Sequence, residues 1–281
     1  MNGEVPAQAP PYSTTSTRAR RLPGGEEGPE VLAVEEPLEI RVDGASVAVT
    51  MRTPGDDFDL AAGFLLTEGV IRSPGQITTM RFCADTDTLN IVDVAVTAGT
   101  RLPASLARTF PATSACGVCG KQSIDAVRLR GSYDLAADRL RVRRPVLAGL
   151  PSTLRAAQQV FDRTGGVHAA GLFTADGTLR CVREDVGRHN AVDKVLGWAY
   201  REEQIPLAGH VLMVSGRASF ELTQKAMMAG VPVLAAVSAP SSLAVDLAAE
   251  SDMTLIGFLR ANGMNVYSGA HRVERDPAAA G

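Results

Sequence analysis

Two cysteines, Cys116 and Cys119, stand three positions apart in the stretch Ala112 to Asp125, and each is followed by a glycine. A thiol that loses its proton becomes a nucleophile and a metal ligand, and nearby cations favour that loss. From Arg101 to Arg144 the chain carries eight arginines and one lysine against three aspartates. These basic surroundings favour a reactive thiolate and an anionic ligand.

The C-x-x-C spacing admits several interpretations. A structural zinc site needs four ligands, but the other two cysteines, Cys83 and Cys181, stand alone in predicted strands. A thioredoxin-like redox pair normally opens a helix near the start of a βαβ unit, whereas a whole predicted unit comes first here. Cysteines that only pack in a turn are a further alternative. The chemistry favours a nucleophilic thiol for sulfur or acyl transfer, in which Cys116 holds a persulfide and Cys119 shields or releases the sulfur.

Two polar motifs in the second half of the chain have more than one interpretation. The turn Gly165-Gly166-Val167-His168 either cradles a phosphate, with His168 as a polar anchor, or precedes a buried strand. The run Arg183 to Asn190 either converges on a ligand or is a solvated loop in which Asn190 caps a helix. The chain contains neither a G-x-G-x-x-G fingerprint nor a Walker A loop.

The turn Ser215-Gly216-Arg217 is a sharper candidate for ligand binding. It stands between a predicted strand and a predicted helix, where free backbone N–H groups attract an anion and an arginine adds a fork of donors. Simple capping of the helix by Ser219 is the alternative. The turn therefore favours a phosphate or a pyrophosphate.

The elements that position these residues begin with a small α+β unit. Asp43-Gly44 predicts a tight hairpin, and a helix is expected from Asp56-Asp57 to Gly69. Four strands are predicted at Leu38 to Val42, Ser46 to Met51, Ile77 to Cys83 and Leu89 to Val96.

From about Leu147 strands alternate with helices, which predicts a parallel or mostly parallel sheet covered on both faces. The predicted strands are an apolar run ending at Phe173, then Thr178 to Arg183, His210 to Val214, Val233 to Ser238 and Thr254 to Leu259. The predicted helices are Ser152 to Asp162, Asn190 to Arg201, Phe220 to Ala229 and Ser242 to Ala249. Ligands of such sheets bind beyond the carboxyl ends of the strands.

Composition excludes several classes of protein. The 281 residues carry a formal net charge of −3 with a pI near 5.9, which gives no case for nucleic-acid binding. We find no apolar run of transmembrane length and no signal-peptide core. These features predict a cytoplasmic protein without a membrane anchor, in which thiols stay reduced.

The same features divide the chain into five parts. We expect a disordered tail over residues 1–30, an α+β domain over 31–112 and a basic cysteine-bearing linker over 113–145. An α/β domain over 146–270 and a short tail over 271–281 follow. Chemistry is expected at the linker between the two folded units.

Taken together, these motifs resemble the formate dehydrogenase accessory sulfurtransferase family, FdhD/NarQ. The likeness extends from about Val31 to Ser268 and rests on many ordered motifs. They are Glu35 to Ile40, Met51 to Asp57, Gly63 to Gly69, Cys116 to Lys121, Gly166 to Ala170, Glu184 to Lys194 and Ser215 to Arg217.

The resemblance implies a fold, a reaction and a site. It implies a three-layer α/β/α domain of the cytidine-deaminase-like kind, without the deaminase zinc signature, and a homodimer. It also implies a sulfur carrier that takes sulfur from an L-cysteine desulfurase and gives it to a molybdenum or tungsten cofactor, a bis-molybdopterin guanine dinucleotide. The recipient of that cofactor is a formate dehydrogenase.

Roles carried over by resemblance fall on two groups of residues. Cys116 corresponds to the persulfide-bearing thiol and Cys119 to its partner. The cofactor-binding stretch corresponds to Phe258, Leu259, Arg260, Ala261, Asn262 and Gly263. Together with Arg217, the guanidinium of Arg260 suits the phosphates of a guanine nucleotide, and no tightly held metal is expected.

Two other functions compete with the sulfurtransferase. A non-enzymatic molybdenum-cofactor chaperone would bind the dinucleotide in the α/β domain and use the cysteines only to contact the metal. A zinc-stabilised interaction protein is the weaker alternative.

Overall fold

The computed structural model describes residues 12–83, 89–103, 106, 129 and 131–274. Cys116, Cys119 and much of the predicted linker lie outside the described residues. The strands of the fold form a two-stranded hairpin, a four-stranded sheet, a six-stranded sheet and a pair of short strands, and helices pack against the two larger sheets.

The chain begins with a two-stranded antiparallel hairpin of β1 (Thr14–Arg21) and β2 (Glu26–Ala33). The expectation of a disordered tail is therefore wrong for residues 12–30. The Pro- and Ser-containing composition indicated disorder, but β-branched residues on β1 and opposite charges across the two strands favour pairing. Arg20 and Arg21 form exposed ion pairs with Glu27 and Glu30 at 3.1 and 2.9 Å.

The predicted α+β unit contains a four-stranded sheet and one helix. Its strands are β3 (Glu36–Val42), β4 (Ala45–Arg52), β5 (Ile77–Phe82) and β6 (Ile91–Val96), in the order β4-β3-β6-β5. The hairpin prediction at Asp43-Gly44 is confirmed, since both residues have positive φ angles, 49° and 80°, as a tight two-residue turn requires. The helix α1 (Asp57–Thr67) follows β4.

Two helices stand where one was predicted. A two-residue strand, β7 (Val142–Arg143), leads into α2 (Arg144–Ala156), and a break precedes α3 (Gln159–Thr164). The predicted single helix from Ser152 to Asp162 is therefore wrong. The carboxylate of Glu184 accepts the N–H groups of Val160 and Phe161 at 2.8 and 2.9 Å and so provides α3 with its own N-terminal cap.

The larger sheet has six strands in the order β13-β12-β11-β10-β8-β9. These are β8 (His168–Thr174), β9 (Leu179–Asp185), β10 (His210–Val214), β11 (Val233–Ala236), β12 (Thr254–Arg260) and β13 (Gly263–Ser268). Two of the five neighbouring strand pairs, β10–β11 and β11–β12, are parallel, and the other three are antiparallel. The prediction of a mostly parallel sheet is therefore wrong, because β8–β9 and β12–β13 are hairpins.

Helices cover both faces of this sheet. On one face Phe173 and Met213 pack with Leu150 of α2. The opposite face packs against α4 (Arg188–Arg201), α5 (Phe220–Met228) and α6 (Ser242–Glu250). The fold is thus mixed α/β with helices on both faces of the sheet, while the cytidine-deaminase-like arrangement stays a prediction.

The two sheets share one hydrophobic cluster. Leu38 and Ile40 of β3 belong to the same cluster as Leu172 of β8 and Leu212 of β10. Helices α1 and α4 connect them and approach closely at Gly63 and Gly197, where a Cβ on either glycine would overlap backbone atoms of the other helix. Glycine is therefore required for this helix contact.

The end of the described chain is also folded. Val273 and Glu274 form β14, which pairs in parallel with β7, and the fully buried Arg272 donates hydrogen bonds to the carbonyls of Asp252 and Leu135. The expectation of a tail from residue 271 is therefore wrong for residues 271–274. A strand of two residues such as β14 is too short to show the period-2 alternation that predicts strands from sequence. Among the described residues, no helix has the length and apolarity needed to cross a membrane.

Candidate functional site

His168 and Ser215 meet at one edge of the six-stranded sheet. Because β8 is antiparallel to β10, the start of β8 lies beside the carboxyl end of β10. The Ser215 hydroxyl accepts the N–H of Ala169 at 2.9 Å, and the Ser215 N–H donates to the Ala169 carbonyl at 2.9 Å. A Cβ placed on Gly216 would stand 3.6 Å from Nδ1 of His168, so the glycine turn passes directly over the imidazole.

Ser219 caps α5 immediately after this turn. Its side chain accepts the N–H of Leu222 at 3.4 Å, so the capping alternative is confirmed for Ser219. The Arg217 side chain is exposed at the same edge of the sheet. The turn Ser215-Gly216-Arg217 itself stays a predicted anion site.

The predicted cofactor stretch occupies the end of β12 and the turn after it. Phe258 is 45 % exposed and has a φ of 51°, which is unusual for a residue with a bulky side chain. Leu259 is fully buried, and the Arg260 guanidinium donates to the carbonyls of Val237 and Leu259. The prediction that Arg260 follows the last strand is wrong, because Arg260 ends β12 and the chain continues through Ala261 and Asn262 into β13.

A cavity of about 650 Å³ lies at this edge of the sheet, beside α2 and α3. Three predicted site residues line it, namely His168, Ser215 and Arg260. The other lining residues are Pro151, Leu154, Arg155, Gln158, Phe161, Gly165, Gly166, Val167 and Val237. The cavity does not include Gly216, Arg217, Phe258, Leu259, Ala261, Asn262 or Gly263 in its lining.

The cavity wall formed by α2 and α3 contains residues that sequence reasoning missed. The Arg155 guanidinium lies 4.8 Å above the Phe161 ring and pairs with Asp162, which is a cation–π arrangement. Gln158 is only 4 % exposed. The predicted continuous helix concealed these positions, because an isolated glutamine does not mark a helix break in sequence.

The imidazole of His168 is held neutral by its surroundings. Burial lowers its pKa below the ordinary value of 6.5, and the nearby Arg188 and His189 lower it further. A neutral imidazole carries one donor and one acceptor nitrogen, so His168 can hydrogen-bond a polar ligand without adding charge.

The run Arg183 to Asn190 joins the two sheets. Buried Asp185 pairs with Lys194 at 2.8 Å and accepts the Thr53 N–H at 3.1 Å. Asn190 donates to the Met51 carbonyl at 2.7 Å and lies within α4 rather than capping it. The solvated-loop interpretation is therefore wrong for Asp185 and Asn190, whose described contacts are structural.

His189 and Glu221 connect the first turns of α4 and α5. The His189 Nε2 contacts the Glu221 carboxylate, and both side chains are largely buried. This pair lies next to His168, as the electrostatic effect of His189 on that imidazole shows. It fixes the position of the two helix starts at the candidate site.

The two cysteines predicted to be catalytic lie outside the described residues, but the chain on either side of them is anchored. Leu106 packs against the shared hydrophobic cluster. The Leu129 N–H donates to the Gln224 side chain of α5 at 2.9 Å. Both ends of the intervening stretch are therefore attached to the core.

The described cysteines have a different character. Cys181 is buried in β9, and burial raises its pKa to about 12. Its thiol therefore stays protonated and unreactive at neutral pH. Among the described residues, no three His, Cys, Asp or Glu side chains are grouped so that they could hold a metal ion.

Comparison with known proteins places the chain in a family. The FdhD/NarQ family model matches residues 33–274. The chain is 56 % identical over 268 residues to the sulfur carrier protein FdhD of Mycolicibacterium paratuberculosis, covering 92 % of this chain and 98 % of that one. It is 58 % identical over 252 residues to the protein of the same name from Streptomyces coelicolor, covering 87 % and 89 %.

A solved structure shares the fold. It is provisionally described as a formate dehydrogenase accessory protein from Desulfotalea psychrophila, and it aligns with a TM-score of 0.72 over 93 % of this chain and 98 % of that one, at 24 % identity. At this identity the likeness concerns the fold alone. The match over residues 33–274 and the identities above 50 % show that this chain belongs to the FdhD/NarQ family of sulfur carrier proteins.

Proposed function

We propose that this protein is a sulfurtransferase that carries sulfur as a persulfide on Cys116. The sulfur donor is an L-cysteine desulfurase, and the acceptor is a molybdenum or tungsten bis-molybdopterin guanine dinucleotide bound for a formate dehydrogenase. The observation that carries the proposal is the C-x-x-C pair in a strongly basic segment of a chain whose relatives are named sulfur carrier proteins.

The sulfur enters by exchange at a persulfide. The Cys116 thiolate attacks the outer sulfur of the desulfurase persulfide, and the desulfurase cysteine leaves as a thiolate. This step moves one neutral sulfur atom and requires no outside oxidant. Positive charge near Cys116 supports it, because cations favour the thiolate form.

Cys119 releases the sulfur from Cys116. The Cys119 thiolate attacks the inner sulfur of the Cys116 persulfide, which expels hydrosulfide toward the cofactor and leaves a Cys116–Cys119 disulfide. A cellular thiol then reduces the disulfide and restores both cysteines. Two cysteines three positions apart suit this exchange.

The cavity supports an anionic nucleotide as cargo. Its volume of about 650 Å³ lies within the usual range for small-molecule sites. Arg155 and Arg260 supply positive charge, while His168 and Ser215 supply hydrogen-bonding groups. The proposal includes a deaminase-like scaffold without its zinc chemistry and a homodimer in the cytoplasm.

Mass spectrometry of the trapped thiols tests the sulfur-carrier proposal. Incubation of the reduced protein with a cysteine desulfurase and L-cysteine is expected to add about 32 Da per sulfur to the peptide that contains Cys116. The Cys116→Ala variant should lose this gain, and Cys119→Ala serves as its matched control. A wild-type protein that gains no sulfur would overturn the proposal.

A non-enzymatic cofactor chaperone is the second candidate. The favouring observation is that His168, Ser215, Arg155 and Arg260 line one cavity, which would bind an anionic nucleotide without any sulfur chemistry. Under this alternative, Cys116→Ala would still bind the dinucleotide and would still support active formate dehydrogenase in a complemented strain. Under the sulfurtransferase proposal it would bind the dinucleotide but fail to support the enzyme.

A further inference from the structure

The hairpin of β1 and β2 has a long, regular and exposed outer strand. Its residue pairs run from Thr14–Ala33 to Arg21–Glu26 without a register shift, and most side chains of β1 are exposed. Among the described residues, neither strand of the hairpin pairs with a strand outside it. A two-stranded ribbon is only marginally stable by itself in water, so a further strand beside β1 would stabilise it.

The edges of the two larger sheets are built differently. Strands β4 and β5 border the four-stranded sheet, and β9 and β13 border the six-stranded sheet. Each of these four strands carries an extra residue that its neighbour does not match, namely Val47, Thr78, Arg180 and Tyr267. Such bulges keep edge strands from pairing with other chains. Strand β1 lacks this protection, because its register is continuous.

The backbone of β1 directs alternate residues away from β2. The Val34 N–H donates to the Ser13 carbonyl at 2.9 Å. Because bonded and non-bonded pairs alternate in an antiparallel ladder, the odd-numbered residues of β1 bond to β2 and the even-numbered residues do not. The position of Pro29 opposite Arg18 agrees with this assignment, since a proline cannot donate to the ladder. The N–H and carbonyl groups of Ser16 and Arg18 therefore point outward.

The sequence of β1 is complementary to itself in the antiparallel direction. A twofold axis at Thr17 places Ser16 of one copy opposite Arg18 of the other. The same axis places Thr14 opposite Arg20. All four residues are even-numbered, so their backbone groups face each other across the axis and can form hydrogen bonds. No arginine stands opposite another, which avoids the repulsion of like charges in a cross-strand pair.

We propose that two copies of this chain join β1 to β1 in the antiparallel direction and form one continuous four-stranded sheet. A contact between identical surfaces closes on itself, and the outer edge of β2 lacks a donor at Pro29, which stops the addition of further copies. The inference specifies the homodimer that the proposed function includes and rests on that function in this respect alone. The family model begins at residue 33, so the contact uses a part of the chain that the model does not cover.

The shared sheet would lie beside the cavity of each copy. Strand β2 packs against α3, and a Cβ on Gly166 would stand 3.8 Å from the Cβ of Ala33. Gly166 and Phe161 of α3 both line the cavity. The contact between the copies therefore supports one rim of the candidate site.

Cysteine cross-linking of the full-length protein tests the contact and its register. Thr17→Cys and its matched control Thr15→Cys are made in a background in which the three cysteines other than buried Cys181 are replaced by alanine. Thr17 meets its own copy at the axis, in a pair whose Cβ atoms are about 4.5–5.5 Å apart, which a disulfide can bridge. The two copies of Thr15 are separated by about 13 Å along the strands, beyond the reach of a disulfide.

Mild oxidation is expected to cross-link Thr17→Cys into a species of twice the 29.5 kDa chain mass, while Thr15→Cys stays a single chain on a non-reducing gel. Adding Ala19→Cys to the control should restore cross-linking, because Thr15 and Ala19 stand opposite each other. Adding Ser16→Pro to Thr17→Cys removes an outward N–H and leaves the hydrogen bonds between β1 and β2 in place. The cross-link should then be lost.

Two results would overturn the inference. One is a Thr17→Cys variant that cross-links no faster than Thr15→Cys, and the other is a cross-link that survives Ser16→Pro. Sulfur loading of Cys116 is measured separately on the wild type. Normal loading without the cross-link refutes the contact alone, whereas failed loading in a protein whose Thr17→Cys variant cross-links refutes the proposed function.

Discussion

The carboxylate of Asp185 and the ammonium group of Lys194 lie 2.8 Å apart, with side chains that are 0 % and 1 % exposed. Lys194 also donates to the Thr53 carbonyl at 2.8 Å, and Asp185 accepts the Thr53 N–H. This pair therefore joins the end of β4 to β9 and α4. It connects the two sheets immediately next to His168, whose backbone is paired with Asp185 across β8 and β9.

Replacing Lys194 by Met is expected to destabilise the protein by about 3–5 kcal/mol, because it leaves the Asp185 charge buried without its partner. The measurement is the free energy of unfolding in urea. The control is Arg20→Met, which removes an exposed pair with Glu27 and should change stability by less than about 1 kcal/mol. Equal stabilities of the two variants would contradict the structural role of Lys194.

Adding a methyl group at Gly63 is expected to be severely disruptive. A Cβ there would overlap the backbone carbonyl of Asp193, so α1 and α4 must separate, at a cost of about 1–3 kcal/mol or more. Gly149 in α2 is the matched control, since open space surrounds its Cβ position and alanine is the better helix former by about 1 kcal/mol. The midpoint temperature of thermal unfolding should therefore fall for Gly63→Ala and rise for Gly149→Ala.

His168 gives the fold a pH dependence of known sign. Its pKa is lowered below 6.5 in the folded protein, so between the folded and unfolded pKa values the unfolded chain binds more protons. The neutral imidazole therefore contributes stability above about pH 6.5, the unfolded pKa. This contribution is lost as the pH falls from the unfolded pKa to the lower folded pKa. Urea unfolding across about pH 5 to 8 should show a smaller decrease for His168→Gln than for the wild type, and the His168 proton resonances should titrate below 6.5.

Cys181 provides an internal standard for thiol mapping. With a pKa raised to about 12 by burial, it should resist iodoacetamide in the native protein near pH 8 and react after denaturation. Peptide mass spectrometry reads both states. Modification of native Cys181 at the rate of an exposed thiol would show that β9 opens readily.

The sequence predicted most elements because their signals are local. Asp43-Gly44 marked a tight turn, and His210 to Val214 is an uninterrupted buried strand with the predicted bounds. The missed elements depend on distant contacts. The break at Gln158 needs the Glu184 carboxylate from another strand, and β13 becomes a strand only because β12 pairs with it.

The sequence predicted which residues belong to the candidate site, but it did not predict how they are arranged around the cavity. His168, Ser215 and Arg260 were identified from turns and strand ends, and the structure brings them to one cavity. Gln158 was missed because an isolated glutamine has no chemical signature in sequence. Gln158 enters the cavity wall because the helix breaks there, and that break depends on the capping of α3 by the Glu184 carboxylate. Both features are properties of the folded chain.

The contact between Arg272 and Leu135 joins two parts of the chain that are 137 positions apart. Val273 pairs with Val142 beside it, so β7 and β14 support each other and neither is held by residues near it in sequence. Closing so long a loop costs conformational entropy, and a two-strand pair of this size is expected to open locally while the larger sheets stay folded. The backbone amides of β7 and β14 should therefore exchange with solvent together, and faster than those of β10.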